Sequence, residues 1–254
     1  MTNALLICRK ELRSYFASPI AYAVMAIFAL IFGWTFFNAS RDFVRFTLLQ
    51  SQEGGGPISV NDQIIRPLLG FAGTIGLFLI PMITMRVFAE EKRTGTIELL
   101  LTSPVSDLEV IVGKWLGALT LYACVLGMSM LNLGLLFLWG KPDLKPTLVG
   151  YLGLLLQGGC LLALGTLIST MTKNQIIAGI ATFFMALLLW LLSWFTAFDN
   201  TVTSQVVNYM SIVTHFENFG KGVLDSKDVI FYLSLTFLCL FLTARSLESL
   251  RWRS

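Results

Sequence analysis

Six long apolar stretches constrain this chain more than any other feature of its sequence. Each approaches the ~20 residues that a helix needs to cross a hydrocarbon core about 30 Å thick. They cover residues 19–37, 67–87, 116–139, 148–171, 176–198 and 229–244. The chain is 56% hydrophobic and 13% charged, whereas a soluble domain carries about 25% charged residues. The sequence therefore predicts an all-α, polytopic membrane protein with six transmembrane helices, in a single domain over residues 1–254.

The basic residues indicate how the spans are oriented. If the N-terminus is cytoplasmic, eleven of the 18 Lys and Arg residues fall on the cytoplasmic side and seven on the other. Positive charge close to the spans favours the cytoplasmic side. We therefore expect both termini, and the polar segment 89–106, to lie in the cytoplasm.

The ionisable residues argue against a proton-coupled or ion-coupled carrier. None of the 15 Asp and Glu residues falls inside a span, although such residues usually mark ion paths through a membrane. Lys114 lies nearest to a span interior, and we expect its long side chain to reach the cytoplasmic boundary. A sodium site built from backbone carbonyls would leave no charged signature, so a carrier of that kind stays open.

Sequence signals for nucleotide, metal and nucleic-acid binding are missing. None of the three Gly-Lys pairs is followed by the Ser or Thr of a phosphate-binding loop. The four cysteines are far apart, so we expect them to be small apolar packing residues. His215 is expected to be an interfacial polar residue, because no orienting partner is evident around it. Basic residues cluster beside spans rather than along one face, so nucleic acid is not an expected partner.

The N-terminal segment, residues 3–17, has the pattern of an amphipathic helix. Its apolar face carries Leu5, Cys8, Leu12 and Phe16, and its basic face carries Arg9, Lys10 and Arg13. A helix of this kind can lie in the headgroup layer of a membrane. We therefore expect it to contact membrane lipid.

The third helix is expected to start well before its span. Ser106 and Glu109 have the spacing of a capping box, and Asp107 suits the positive end of a helix. A helix from Asp107 to Trp139 would run about 50 Å at 1.5 Å per residue. It would therefore protrude from the membrane.

The segment AEEKRTGTIELLLTSPVS, residues 89–106, is too polar to cross a bilayer. Gly95 is expected to break the second helix, and Thr96 to cap a short crosswise helix that ends before Pro104. Its three leucines, Leu99 to Leu101, should find a surface, because burying each is worth about 1.5–3 kcal/mol. That surface belongs either to a partner or to the chain's own bundle, and the sequence leaves both open.

Residues 80–119 strongly resemble the cytoplasmic loop of type-2 ATP-binding-cassette (ABC-2) permeases. In that family the pattern E-x-x-x-G-T-x-E-x-L-L-x-[ST]-P links the second and third spans. The matching residues here are Glu91, Gly95, Thr96, Glu98, Leu100, Leu101, Ser103 and Pro104. The N-terminal segment resembles the family's elbow helix. Residues 215–232 look like the approach to the sixth span in the gliding-motility and copper-enzyme-maturation subgroups.

The resemblance implies the permease subunit of an ABC transporter, an exporter in the bacterial plasma (inner) membrane. Such a subunit is not itself an enzyme and holds no cofactor. ATP and Mg²⁺ are bound by a separate cytoplasmic ABC ATPase. A second permease copy, in a homodimer, is the other implied partner.

The resemblance also assigns roles to residues. The crosswise helix, residues 96–102, corresponds to the coupling helix that docks in a groove of the ATPase. The implied coupling residues are Glu90, Glu91, Gly95, Thr96, Glu98, Leu99, Leu100, Leu101, Ser103 and Pro104. The implied elbow residues at the membrane interface are Arg9, Lys10, Leu12, Arg13 and Phe16. For the charge run 90–93, an ordinary solvated surface stays an open alternative.

Two other functions remain open from the residues. The chain could be a membrane scaffold of an ATPase-driven assembly or motility machine that moves no solute, or a secondary carrier. The substrate is not evident, since the apolar and aromatic spans suit lipid-linked, peptide or glycan cargo equally. Glycines in the spans, such as Gly113 and Gly117, indicate close helix packing, either inside one bundle or between subunits.

Overall fold

The computed structural model describes residues 2–52, 59–97, 105–139, 142–196 and 202–251. Within these ranges all regular structure is helical. The helices are α1 (Thr2–Ala17), α2 (Pro19–Gln52), α3 (Arg66–Thr84), α4 (Ala89–Thr94), α5 (Asp107–Trp139), α6 (Leu144–Met171), α7 (Gln175–Thr196), α8 (Val202–Tyr209), α9 (Ile212–Gly220) and α10 (Ser226–Arg251). A short π-helical turn, Asn61–Ile65, leads into α3.

Six helical segments in the described ranges are long and apolar enough to cross a membrane. They are Ala21–Gln52, Asn61–Thr94, Asp107–Leu138, Leu144–Met171, Gln175–Trp194 and Ser226–Ser249. The predicted all-α class with six spans is thereby confirmed. Six crossings bring α1 and the last turns of α10 to one end of the bundle, which we call the elbow end. The π-helical turn, α8 and α9 lie at the opposite end, the far end.

The first spanning helix is longer than its apolar stretch. α2 continues to Gln52, past the end at Phe37 that hydropathy suggested. Residues 38–52 contain neither Gly nor Pro, so nothing in the local sequence interrupts the helical hydrogen bonds. The polar last turns of α2 therefore extend the bundle at the far end.

The third and sixth helices form the centre of the bundle. In the most apolar stretch of the spans that contain α3 and α6, 67% of the sequence is buried inside the protein. The corresponding share is 17% for α2 and for α7. The main core gathers large side chains that are almost fully enclosed, among them Phe28, Phe32, Leu68, Tyr122 and Tyr232. α2 and α7 accordingly present long apolar faces to the outside of the bundle.

Glycines of α6 let neighbouring helices of the same chain approach closely. A Cβ at Gly158 would overlap the ring of Tyr122, and a Cβ at Gly165 would overlap the side chain of Thr84. Both neighbours belong to this chain, on α5 and α3. At these positions, close packing inside one bundle accounts for the glycines.

The second spanning helix ends earlier than predicted. Gly95 was expected to break it, but α3 ends at Thr84 and the chain turns before α4 begins at Ala89. The amides of Phe88 and Ala89 donate to Ser169 Oγ on α6, at 3.1 and 3.0 Å. Because these amides are taken by another helix, α3 does not continue. Gly95 instead ends the short helix α4.

Candidate coupling site at the elbow end

Lys114 joins three separate elements at the elbow end. It lies in the second turn of α5 and its side chain is only 3% exposed. Its Nζ lies 2.9 Å from Glu11 Oε1 on α1 and 2.8 Å from Glu91 Oε1 on α4. The ring of Phe88 lies beneath the ammonium, 5.4 Å from centroid to Nζ. We call Glu11, Glu91 and Lys114 the elbow triad.

Lys114 was expected to extend its side chain to the cytoplasmic boundary, and the sequence showed no partner for it. In the structure two carboxylates and an aromatic ring surround its ammonium. Glu11 and Glu91 are also largely enclosed, with side chains 15% and 18% exposed. Removing the lysine would leave two largely enclosed carboxylates without compensation, and losing the partner of a buried ion pair typically costs about 3–5 kcal/mol.

Close packing brings α1 against α5. A Cβ at Gly113 would meet Ala4 O at 2.8 Å, and one at Gly117 would meet Glu11 Cβ at 2.9 Å. Asn3 Nδ2 also donates to Glu109 Oε2 at 3.2 Å. The Gly113 and Gly117 pair thus serves contact within the chain, and α1 is fixed along the start of α5.

The contact of α1 with α5 does not involve Leu5. Leu5, on the predicted apolar face, is 65% exposed, and Leu6 is 62% exposed. Ala4 and Ile7 take the contact with Gly113 instead. The helical spacing allowed two adjacent apolar stripes, and the small side chain of Ala4 permits the closer approach.

The other predicted elbow residues form an exposed basic group and a half-buried apolar group. Arg9, Lys10 and Arg13 are exposed. Leu12 and Phe16 are half-buried and pack against the main core. α1 therefore has a charged outer face and an apolar inner face.

Interactions with α6 hold α4 in place at both of its ends. Ser169 Oγ accepts the amides of Phe88 and Ala89 at its start. Lys92 Nζ donates to the carbonyl of Thr170 nearer its end. Gly95 then adopts φ 75°, the left-handed conformation that commonly terminates a helix and that glycine enters without strain. The conformation of Gly95 therefore sets the direction in which the chain continues after α4.

A small second core packs against the chain just after Gly95. It consists of Val87, Phe88, Val110, Ile111 and Leu247, all almost fully buried. Ile97, which has helical geometry, is half-buried and packs against this core. The first residues after Gly95 are therefore anchored to the bundle.

The structure places only part of the predicted coupling set. Glu91 is in the elbow triad, Glu90 is half-buried, and Gly95 and Thr96 are exposed. Glu98, Leu99, Leu100, Leu101, Ser103 and Pro104 lie outside the described residues. On the other side of the segment the capping box is present, with the Glu109 amide donating to Ser106 Oγ at 3.3 Å.

A second buried charge cluster lies at the far end. His215 is 3% exposed, with Nδ1 lying 2.6 Å from Asp228 Oδ1 and Nε2 lying 2.8 Å from the carbonyl oxygen of Tyr209. Asn218 Nδ2 donates to the second oxygen of Asp228 at 2.7 Å, and the ring of Phe231 stacks on the imidazole. The view of His215 as an interfacial residue without a partner is thereby corrected. Both ring nitrogens therefore lie within hydrogen-bond distance of an oxygen atom.

The sequence did not reveal the elbow triad or the histidine cluster. Lys114 lies 103 residues from Glu11, and no local spacing connects them. The one available signal was a lone lysine close to a span interior, which is an expensive position unless partners are supplied. In the described residues no group of three His, Cys, Asp or Glu could hold a metal ion.

Six helices that are long and apolar enough to span a membrane pack around a buried core. They define a polytopic helical membrane protein with an ion-paired polar site at its elbow end. A family model described as "ABC-2 family transporter protein" matches residues 5–244. The chain therefore belongs to the ABC-2 family of transporters, as the membrane permease subunit rather than the ATPase. Permeases of this family generally partner with a cytoplasmic ABC ATPase, which handles ATP and Mg²⁺. No curated protein matches the chain.

Proposed function

We propose that the chain is the permease of an ABC exporter and that residues 89–106 transmit movements of its ATPase to the bundle. The observation that carries this proposal is the elbow triad. Lys114 connects α4, the first part of this segment, to both α1 and α5. A force applied to the segment therefore reaches a spanning helix and the elbow helix through buried contacts.

The segment is held at both of its ends. On one side, α4 is fixed to α6 through Ser169 and Thr170. On the other side, the capped first turn of α5 begins directly after Ser106. A docked partner that moved residues between these anchors would shift helices rather than bend a loose loop. This is the mechanical property that a coupling element needs.

We assign the docking to the ATPase to the three leucines of the segment. Leu99, Leu100 and Leu101 would enter an apolar groove of the ATPase, with Glu90 and Glu91 close to the joint. The burial of two such leucines contributes roughly 3–6 kcal/mol. Ser103 and Pro104 would end the docking helix, and Glu98 would face the rim of the groove.

The remaining parts of the proposal follow from the family. We propose a homodimer of permeases with two ATPases, in the bacterial inner membrane, with both termini cytoplasmic. The elbow end is then the cytoplasmic end of the bundle. The basic residues Arg9, Lys10 and Arg13, which are exposed on α1, would face anionic lipid headgroups there.

Replacement of both Leu100 and Leu101 by Asp tests the docking. Each Asp would have to lose its hydration inside an apolar groove, so docking should fail. The variant should reach the membrane at the wild-type level yet lose its ATPase during purification in mild detergent. The matched control places Asp at Leu48 and Leu49, which are 61% exposed near the end of α2, and should keep the ATPase.

Two outcomes would contradict the docking assignment. Retention of the ATPase, with wild-type hydrolysis, would show that these leucines do not dock. Degradation of the variant, with the control stable, would show that the leucines belong to the permease's own core. Loss of solute flux on ATPase inactivation separates a transporter from a scaffold that moves no solute.

A further inference from the structure

A cavity with one polar and one apolar side opens at the elbow end. It measures about 330 Å³ and lies between α1, the first turns of α2 and the end of α3. Its polar side includes Ser14, Tyr15, Ser18, Arg86 and Glu90. Its apolar side is formed by residues that include Ala21, Val24, Ile83 and Leu121. A ligand that filled this cavity would be amphipathic.

Arg86 uses little of its hydrogen-bonding capacity. A guanidinium carries five N–H donors, but the bond that its side chain makes is a long one, from Nη1 to Ser18 Oγ at 3.4 Å. Its Nε is buried and has no partner among the residues that the structure describes. In the described parts of the chain Arg86 forms no ion pair. An anion with several oxygens, such as a phosphate, would satisfy these donors.

The carboxylates beside the cavity are not equivalent. Glu11 is ion-paired with Lys114, which it shares with Glu91. Glu90 forms no ion pair with any residue that the structure describes. The cavity thus offers one guanidinium with unused donors and one carboxylate, neither of them in an ion pair with a described residue. This combination fits a ligand that carries both a negative and a positive group.

Tyr15 supplies a neutral polar contact on the same wall. Burial raises the pKa of its phenol, so the hydroxyl keeps its proton and can donate. Its distance of 3.5 Å to the carbonyl oxygen of Ile83 is long for a hydrogen bond. The hydroxyl can therefore turn to a ligand at little cost.

The position of the cavity indicates the source of the ligand. α1 meets α2 at Ser18, directly before the first span begins at Ala21. This is the level at which lipid headgroups lie beside a membrane protein. A soluble phosphate would leave the apolar side of the cavity without contacts, whereas a lipid would fill it with the upper part of an acyl chain.

We propose that this cavity binds a zwitterionic phospholipid whose headgroup ends in a primary ammonium. The phosphodiester contacts Arg86, Ser18 and Tyr15, and the ammonium contacts Glu90. A primary ammonium donates hydrogen bonds to a carboxylate, which a trimethylated one cannot do. Phosphatidylethanolamine therefore binds better here than phosphatidylcholine. It also binds better than phosphatidylglycerol, which has no cation for Glu90.

Native mass spectrometry of the purified chain with equal amounts of these three lipids tests the proposal. Phosphatidylethanolamine should be retained preferentially. Arg86→Gln should lower its retention about tenfold, the factor expected for the loss of charge-assisted hydrogen bonds. Glu90→Gln should abolish the preference over phosphatidylcholine. Arg93→Gln, at an exposed site on α4, is the control and should change nothing.

A second variant distinguishes loss of lipid binding from a folding defect caused by Arg86→Gln. Ser14 lies at the exposed rim of the cavity, so Ser14→Trp should fold normally and still block the lipid. Retention of phosphatidylethanolamine by Ser14→Trp, or equal retention of the three lipids by the wild type, would overturn the proposal. Competition by soluble glycerophosphoethanolamine as strong as that of the whole lipid would overturn the assignment to a membrane lipid.

Discussion

Lys114 Nζ on α5 lies 2.8 Å from Glu91 Oε1 on α4, enclosed by the protein at the elbow end. Glu11 on α1 completes the ion pair from the other side. Three elements that are distant in sequence therefore meet at one ammonium group. This joint includes Glu91, which belongs to the segment that we propose as the coupling element. The strength of its ion pairs should therefore affect both the stability of the protein and the transmission of movement from the ATPase.

Loss of the central charge should destabilise the protein. In Lys114→Met, two largely enclosed carboxylates face each other without a cation, and we expect a loss of about 3 kcal/mol in the free energy of unfolding. Thermal unfolding in detergent measures this. Changing Glu11 and Glu91 to Gln as well should recover part of the loss. Arg245→Ala, which breaks an exposed pair with Glu248, should change stability by less than about 1 kcal/mol.

The histidine cluster at the far end should also contribute to the stability of the protein. His215→Phe preserves the stacking on Phe231 but leaves Asp228 buried, with Asn218 as its remaining side-chain partner. We expect a loss of about 3 kcal/mol. His215→Phe combined with Asp228→Leu should be more stable than His215→Phe alone. A double variant that is less stable would contradict an ion pair between these side chains.

Gln157 on α6 predicts a gain in stability. It is 4% exposed, and its Oε1 has no partner among the described residues. Gln157→Leu removes an unsatisfied polar atom from the core at similar volume, so the melting temperature should rise by the equivalent of about 1–2 kcal/mol. The comparison variant is Ser129→Ala, which loses a 2.7 Å bond to the Tyr151 hydroxyl and should be less stable than the wild type.

The orientation of the bundle is tested by chemical labelling. A cysteine at Gly55 should react with an impermeant thiol reagent in intact cells, because the loop after α2 is predicted to face outward. A cysteine at Thr94 should react only after the cells are opened. Labelling of Thr94→Cys in intact cells would reverse the topology and place the elbow end outside.

The spans were predictable because the bilayer imposes one requirement on every crossing helix. Hydropathy located all six spanning segments, and the Ser106 and Glu109 spacing located the start of α5. Both signals are local. Helix ends that depend on distant partners were not predictable, as at Thr84, where α3 stops because Ser169 binds the following amides.

Buried charges escaped prediction for the same reason. For Lys114 only the reach of its side chain to the cytoplasmic boundary was predicted, because its two carboxylate partners lie in α1 and α4, which no local spacing connects to α5. His215 and Asp228 are only 13 residues apart, but a helix end and a turn separate them. The sequence shows that a charged residue close to a span needs a partner. The fold is needed to identify the residue that provides it.

The distance between α1 and α4 during nucleotide turnover tests the central claim most directly. Spin labels at Arg13→Cys and Thr94→Cys, both exposed positions, would be introduced after replacement of the four native cysteines. Double electron–electron resonance on the complex with its ATPase, diluted with unlabelled permease, gives this distance without nucleotide and after vanadate trapping. If the elbow triad couples α4 to α1, the distance within one chain stays constant. The distance between the Thr94 positions of the two copies, measured on a separate undiluted sample labelled at Thr94→Cys alone, changes. A nucleotide-dependent change between Arg13 and Thr94 of one chain, with the triad intact, would contradict the account.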